Sequence, residues 1–166
     1  MKACNDCKLL KCNWHNPEHT DKKYCPLLNI TGWAPLNVYK SADIGKNVSI
    51  ARFVEVGDNV KIGQDTRIGK GAFIPEGVTI GENVFIGPHV CFSNDMYPVN
   101  NQKTSKEEWL LKTNVEHGAS IGANVSIRPG VRIGRGAMIG MGAVVTKDVP
   151  EGERWAGCPA EKMRKK

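Results

Sequence analysis

From Ile44 onward the chain repeats in steps of six. Ile44, Ile50, Val56, Ile62, Ile68, Ile74, Ile80, Ile86 and Phe92 mark the run, and after one break it resumes with Val115, Ile121, Ile127, Ile133, Ile139 and Val145. Four residues after each large apolar position stands a small or β-branched residue, from Val48 and Val54 to Ala143 and Val149. The pattern predicts one short flat strand and one corner per hexad, the large side chain pointing inward and the small one filling the corner. About three hexads, on the order of 18 residues, close one coil of a parallel β-helix. Like then stacks on like: Ile44 on Ile62 on Ile80, and Ile50 on Ile68 on Ile86. Burial of each such side chain is worth roughly 1.5–3 kcal/mol, against the chain entropy lost. An amphipathic helix is excluded, because the period is wrong and the glycine that follows most apolar positions would cost about 1 kcal/mol each time.

Three residues after the apolar position come Asn47, Asn59, Asp65, Gly71, Gly77 and Asn83, and later Gly118, Asn124, Gly130, Gly136, Gly142 and Asp148. These residue types tolerate positive φ, as a tight corner requires. His89 takes the same corner position, where its side chain is either a general base or an ordinary solvent-facing residue.

Residues 93–112 interrupt the count. If Val115 takes the place that Pro98 would have held, the interruption is a loop extruded from one corner. Stacking then continues beneath it, with Val115 on Ile80, Ile121 on Ile86 and Ile127 on Phe92. A loop on a rigid scaffold is where chemistry concentrates. This one opens with Ser93-Asn94-Asp95-Met96-Tyr97-Pro98.

The ends follow no repeat. Residues 1–37 form an irregular segment holding Cys4, Cys7, Cys12 and Cys25 with His15 and His19. Cys4 and Cys7 have metal-ligand spacing, so these four cysteines read either as a zinc site or as reduced thiols. The β-helix domain is expected over 38–150 and a C-terminal tail over 151–166. The net charge of +6 is scattered and the aromatics are few, which argues against a nucleic-acid groove. No stretch is apolar and long enough to span a membrane, and the start lacks a signal-peptide core, so a cytoplasmic protein is expected.

The repeats, the ending Val144-Val145-Thr146-Lys147-Asp148-Val149-Pro150 and the segment Gly157-Cys158-Pro159-Ala160 resemble the left-handed β-helix acyltransferases that use acetyl-CoA. The stretch from Val84 to Pro98 narrows the resemblance to nucleotide-amino-sugar N-acetyltransferases, which carry a similar Phe-Thr-Asn-Asp-x-Tyr-Pro segment. The resemblance covers about residues 38–166. It implies an all-β, left-handed parallel β-helix, a hand that general crossover rules would not favour. It also implies a homotrimer with acetyl-CoA in the groove between neighbouring chains, and a nucleotide-linked amino sugar as acceptor.

By that resemblance Asn94 and Asp95, joined by His89 from its corner beside the loop, are the candidate catalytic residues, and Asn94, Asp95 and Tyr97 hold the sugar. Ala123 and Met141 line the pantetheine path, while Thr146, Lys147 and Arg164 approach the nucleotide end of the coenzyme. Met141 stands where alanine is usual, Glu161 where a basic residue is frequent, and Val99 where arginine is usual. Three alternatives remain. A sugar O-acetyltransferase of the galactoside or maltose type has a histidine before the loop proline, where this chain has Tyr97, a poor base at neutral pH. A metal enzyme of the γ-carbonic-anhydrase type needs three histidines, and the repeats hold only His89 and His117. A non-catalytic scaffold with a metal-binding N-terminal knuckle is the third.

Overall fold

The computed structural model describes residues 22–25, 30–33, 35–100, 105–106 and 109–164, the first strand and residue 30 through their backbone only. Short strands wind into a three-sided parallel column. The first sheet stacks Ile30–Trp33, Ser49–Ile50, Arg67–Ile68, Phe85–Ile86, Ser120–Ile121, Met138–Ile139 and Arg154–Ala156. The second stacks Asn37–Val38, Glu55–Val56, Phe73–Ile74, Cys91–Phe92, Ser126–Ile127 and Val144–Val145. The third stacks Asp43–Ile44, Lys61–Ile62, Val78–Ile80, Thr113–Val115 and Arg132–Ile133. The chain visits the sheets in that order and turns a corner between each.

The register is the one the six-residue pattern dictates. Ile44, Ile62, Ile80, Val115 and Ile133 lie in one inward row. Ile50, Ile68, Ile86, Ile121, Ile139 and Trp155 form a second. In the third sheet-facing row Val38 meets Val56, Val56 meets Ile74, Phe92 meets Ile127 and Ile127 meets Val145. The small residues Val48, Val54, Ala72, Val84, Ala119 and Ala143 are buried beside them at the corners. Two corners carry threonine instead. Thr66 Oγ1 donates to the Gly81 carbonyl at 3.0 Å, and Thr113 Oγ1 accepts from Gly130 N at 3.1 Å, so neither buried hydroxyl is left unpaired.

The loop expectation holds in detail. Val115 sits on Ile80, 35 positions on rather than 18, and the stack continues as though nothing had intervened. Corner geometry also follows the sequence: Asn47, Asn59, Asp65, Asn83, His89 and Asn124 all have φ between 54° and 59°. Two corners differ. Phe53 has φ 61°, an uncommon conformation for a bulky residue, with the Lys70 ammonium 5.3 Å from its ring. Asp148, expected at positive φ, is not among the positive-φ residues, and its Oδ1 instead accepts from Arg132 N at 2.8 Å.

Strand pairing runs past the hexapeptide run at both ends. Ile30–Trp33 pairs parallel with Ser49–Ile50 and antiparallel with Lys22–Cys25. Arg154–Ala156 pairs parallel with Met138–Ile139 and antiparallel with Glu161–Lys162. Trp155 closes the end of the core. Its Nε1 donates to Glu153 Oε2 at 2.8 Å, and the Lys147 ammonium lies 5.2 Å from its ring centre. Among the described residues no helix is long and apolar enough to cross a membrane.

Stacking this close explains the glycine that follows most of the inward apolar residues. A Cβ at Gly63 would lie 2.5 Å from Glu82 N and 2.5 Å from Gly81 C, both backbone atoms of the next coil. Gly63→Ala is therefore expected to destabilise by about 1–3 kcal/mol, in the range of overpacked cores. A urea midpoint equal to that of the parent would contradict this.

Candidate functional site

The excursion leaves the column at the second corner, between the second and third sheets, immediately after Cys91–Phe92. Its first residues are fixed from below by the corner one coil earlier. Asn94 Nδ2 donates to the Glu76 carbonyl at 3.1 Å, and Leu111 N donates to the Asn94 carbonyl at 3.0 Å. A carbonyl only accepts, so the nitrogen end of the Asn94 amide faces Glu76 and the oxygen end faces away. Among the described residues nothing donates to that Oδ1. Asp95 forms a tight turn, its Oδ1 accepting from Tyr97 N at 2.9 Å, a local bond typical of this residue type. The Tyr97 side chain is 75% exposed.

The same corner supplies residues the repeat pattern did not mark. Glu76 accepts from Lys106 Nζ at 2.8 Å on both carboxylate oxygens and from Asn59 Nδ2 at 3.0 Å. The Lys106 bond, followed by the Asn59 bond, holds its carboxyl below the ordinary glutamate value. Above the loop, Arg128 Nη1 donates to the Thr146 carbonyl at 2.9 Å, and its Nε lies 3.0 Å from Met96 Sδ. A usable signal was present in the sequence. Glu76 precedes Asn94 by 18 positions and Arg128 precedes Thr146 by 18, one coil in each case.

His89 lies elsewhere, at the first corner, with the strand Cys91–Phe92 between it and the loop. Its ring rests on the corner below: a Cβ at Gly71 would come within 2.5 Å of His89 Nδ1. Among the described residues no group hydrogen-bonds this imidazole. Ala123 and Met141 continue the same corner upward, where Asn124 N bonds the Pro88 carbonyl and Gly142 N bonds the Ala123 carbonyl, each at 2.8 Å. Met141 is 80% exposed, and a flexible thioether at such a place adapts to whatever packs against it. Thr146 and Lys147 sit at the second corner, one coil above Arg128. Arg164 is exposed beyond Glu161–Lys162, which runs back along the first sheet toward the third corner, and Met163 N bonds the Arg154 carbonyl. The five residues expected to hold the coenzyme thus occupy three corners of one column and do not line a single cleft within one chain. His117 stands at the third corner, so it and His89 cannot share a metal ion inside one chain.

The zinc expectation is corrected. Among the described residues no group of three or more His, Cys, Asp or Glu could hold a metal ion. Cys4, Cys7 and Cys12 lie outside the described residues, and Cys25 is described only as the end of a strand. The cosubstrate expectation reduces to acetyl-CoA alone.

Comparison with known proteins agrees with this architecture. The family described as bacterial transferase hexapeptide (six repeats) matches residues 59–94 and 112–147. No curated protein matches the sequence. Among solved structures, a histidine-to-alanine mutant of GDP-perosamine N-acetyltransferase from Caulobacter crescentus, in complex with CoA and GDP-perosamine, superposes with a TM-score of 0.67 at 22% identity, over 82% of this chain and 57% of that one. The acetyltransferase domain of PglB from Neisseria gonorrhoeae, in complex with acetyl coenzyme A, gives 0.70 at 21% identity, over 82% and 58%. AntD, an N-acyltransferase from Bacillus cereus in complex with dTDP and 3-hydroxybutyryl-CoA, gives 0.72 at 19% identity, over 82% and 79%. This chain therefore spans little more than half the length of the first two. At these identities the likeness is one of fold.

The Glu76 carboxyl offers a direct check on the loop geometry. Because pairing lowers its pKa, its contribution to holding the loop is present above the ordinary carboxylate value and is lost as pH falls through the lowered one. Carbon-13 titration of Glu76 is expected to give a lower midpoint in the parent than in Lys106→Met. Equal midpoints would show that the pair does not form in solution.

Proposed function

This chain has the left-handed parallel β-helix of the hexapeptide-repeat acyltransferases, and on that premise we propose that it is an acetyl-CoA-dependent N-acetyltransferase acting on the amino group of a nucleotide-linked sugar. The observation that carries the reading is Asn94. It stands at the foot of the excursion with its Nδ2 tied to the Glu76 carbonyl and its Oδ1 facing away as an acceptor. An acceptor fixed in that direction suits the N–H of an amine, which needs to be oriented toward a thioester and relieved of a proton.

The reaction needs no covalent enzyme intermediate. The amine nitrogen adds to the thioester carbonyl, the carbon–sulfur bond breaks, and the proton leaves with the departing sulfur or through a base. Asn94 Oδ1 and the Asp95 carboxylate would hold and polarise the amine, and the exposed Tyr97 ring would border the sugar. His89, one corner away, is the candidate base. Since it is separated from Asn94 by a strand within one chain, the reading has His89 and the loop of different copies meeting in a groove. The spread of Ala123, Met141, Thr146, Lys147 and Arg164 over three corners supports the same arrangement: a homotrimer whose intersubunit grooves take the coenzyme. Lys147 and Arg164 are exposed cations suited to its phosphates. Residues 93–112 contain no histidine, which disfavours the O-acetyl alternative.

The test is thiol release from acetyl-CoA in the presence of nucleotide-linked amino sugars, with matching hydroxyl sugars as controls. Release with amines only is expected. Asn94→Ala should lower kcat/KM at least about tenfold, the effect of losing one hydrogen bond to a charged or charging group. Activity on hydroxyl sugars alone, or full activity of Asn94→Ala, would sink the assignment.

A further inference from the structure

The bonds around the loop base form a closed ring. The Glu76 carboxylate holds Lys106 Nζ through both oxygens. The Lys106 carbonyl accepts from Leu110 N at 2.8 Å, and the next residue, Leu111, donates its N–H to the Asn94 carbonyl at 3.0 Å. The Asn94 side chain then returns to Glu76, donating to its carbonyl at 3.1 Å. The adjoining residue closes the far end of the excursion: Thr113 N donates to the Gly77 carbonyl at 3.0 Å. Gly77, at φ 94°, leaves room for Leu110 and Leu111, since a Cβ there would lie 2.9 Å from Leu110 Cδ1 and 3.0 Å from the Leu111 carbonyl.

We propose that Glu76 is the positioning residue of this site, tying departure and return of the excursion to one corner and so aiming the Asn94 oxygen at the acceptor. Its two functional parts have separate jobs. The main-chain carbonyl sets which end of the Asn94 amide faces outward. The side chain holds Lys106, and through Leu110 and Leu111 it fixes the main chain of Asn94. The carboxylate has only 18% of its side-chain surface exposed and also takes the Asn59 amide, so it is itself held before it holds the loop. Glu76 touches no substrate; it acts through Asn94. The inference rests on the proposed reaction for its kinetic consequence and on the ring alone for its structural one.

Two readouts separate these. In Glu76→Gln the amide cannot accept from Lys106 on both atoms, and backbone hydrogen exchange at Leu111 and Thr113 is expected to rise at least about tenfold, with protection of Ile86 and Ile121 in the core unchanged. In the acetyl-transfer assay the same variant should raise KM for the amino sugar or lower kcat by about tenfold, while KM for acetyl-CoA stays within about twofold, which is a split a general loss of folding would not produce. The charge exchange Glu76→Lys with Lys106→Glu should restore both readouts toward the parent. Unchanged exchange at Leu111 in Glu76→Gln overturns the inference, and so does raised exchange with unaltered amino-sugar kinetics. An inactive parent protein would count against the proposed reaction and with it the kinetic half of the inference, while the exchange measurement still decides whether Glu76 anchors the loop.

Discussion

Parallel stacking at one fixed interval governs this molecule. Each strand is too short to be stable by itself, so every inward side chain depends on the one a coil above and the one a coil below. The constraint is strict in two directions. Inward positions must be large and apolar to fill the column, as the wholly buried Ile86, Ile121 and Ile133 do. Where the next coil's backbone passes directly over the following position, that residue must be glycine, as Gly63 is. A chain that obeys both rules has little freedom left in its scaffold, and variation is pushed outward to corners and faces.

That outward pressure explains the excursion. Seventeen added residues leave the column between Phe92 and Val115 without disturbing the pairing of Ile80 with Val115 or of Phe92 with Ile127. The scaffold tolerates them because both ends of the insertion return to one corner, at Glu76 and Gly77. A rigid frame thus carries a polar turn with a defined orientation, which is the combination that selective recognition needs.

Much of this was legible in the sequence for a plain reason: the core has a period, and a period can be read. The row of Ile44, Ile62 and Ile80 and the resumption at Val115 followed from spacing alone. Corner residues were legible where backbone strain selects the residue type, as at Asn59 or Asp65. They were not legible where another interaction took over. Phe53 turns at positive φ under a lysine, and Asp148 uses its carboxylate to bond a neighbouring coil instead. The site was only partly legible. Asn94 and Asp95 stood out as polar residues where a repeat had no use for them. Of the partners that aim Asn94, Glu76 stands one coil back at the 18-residue interval, whereas Lys106 lies in unpatterned sequence that no spacing connects to it. Lys147 carried a functional expectation only, and the structure also gives it a place over the Trp155 ring at the end of the core.

A column of this kind has ends, and its ends are unfinished sheets. Here the first sheet receives a reversed strand at each extremity, Lys22–Cys25 at one and Glu161–Lys162 at the other. Of these, Glu161–Lys162 is short, charged and exposed, features that discourage an edge from pairing with another chain. At that extremity the first sheet therefore presents a second copy of the chain with a charged edge and not an apolar one, a poor template for end-to-end joining.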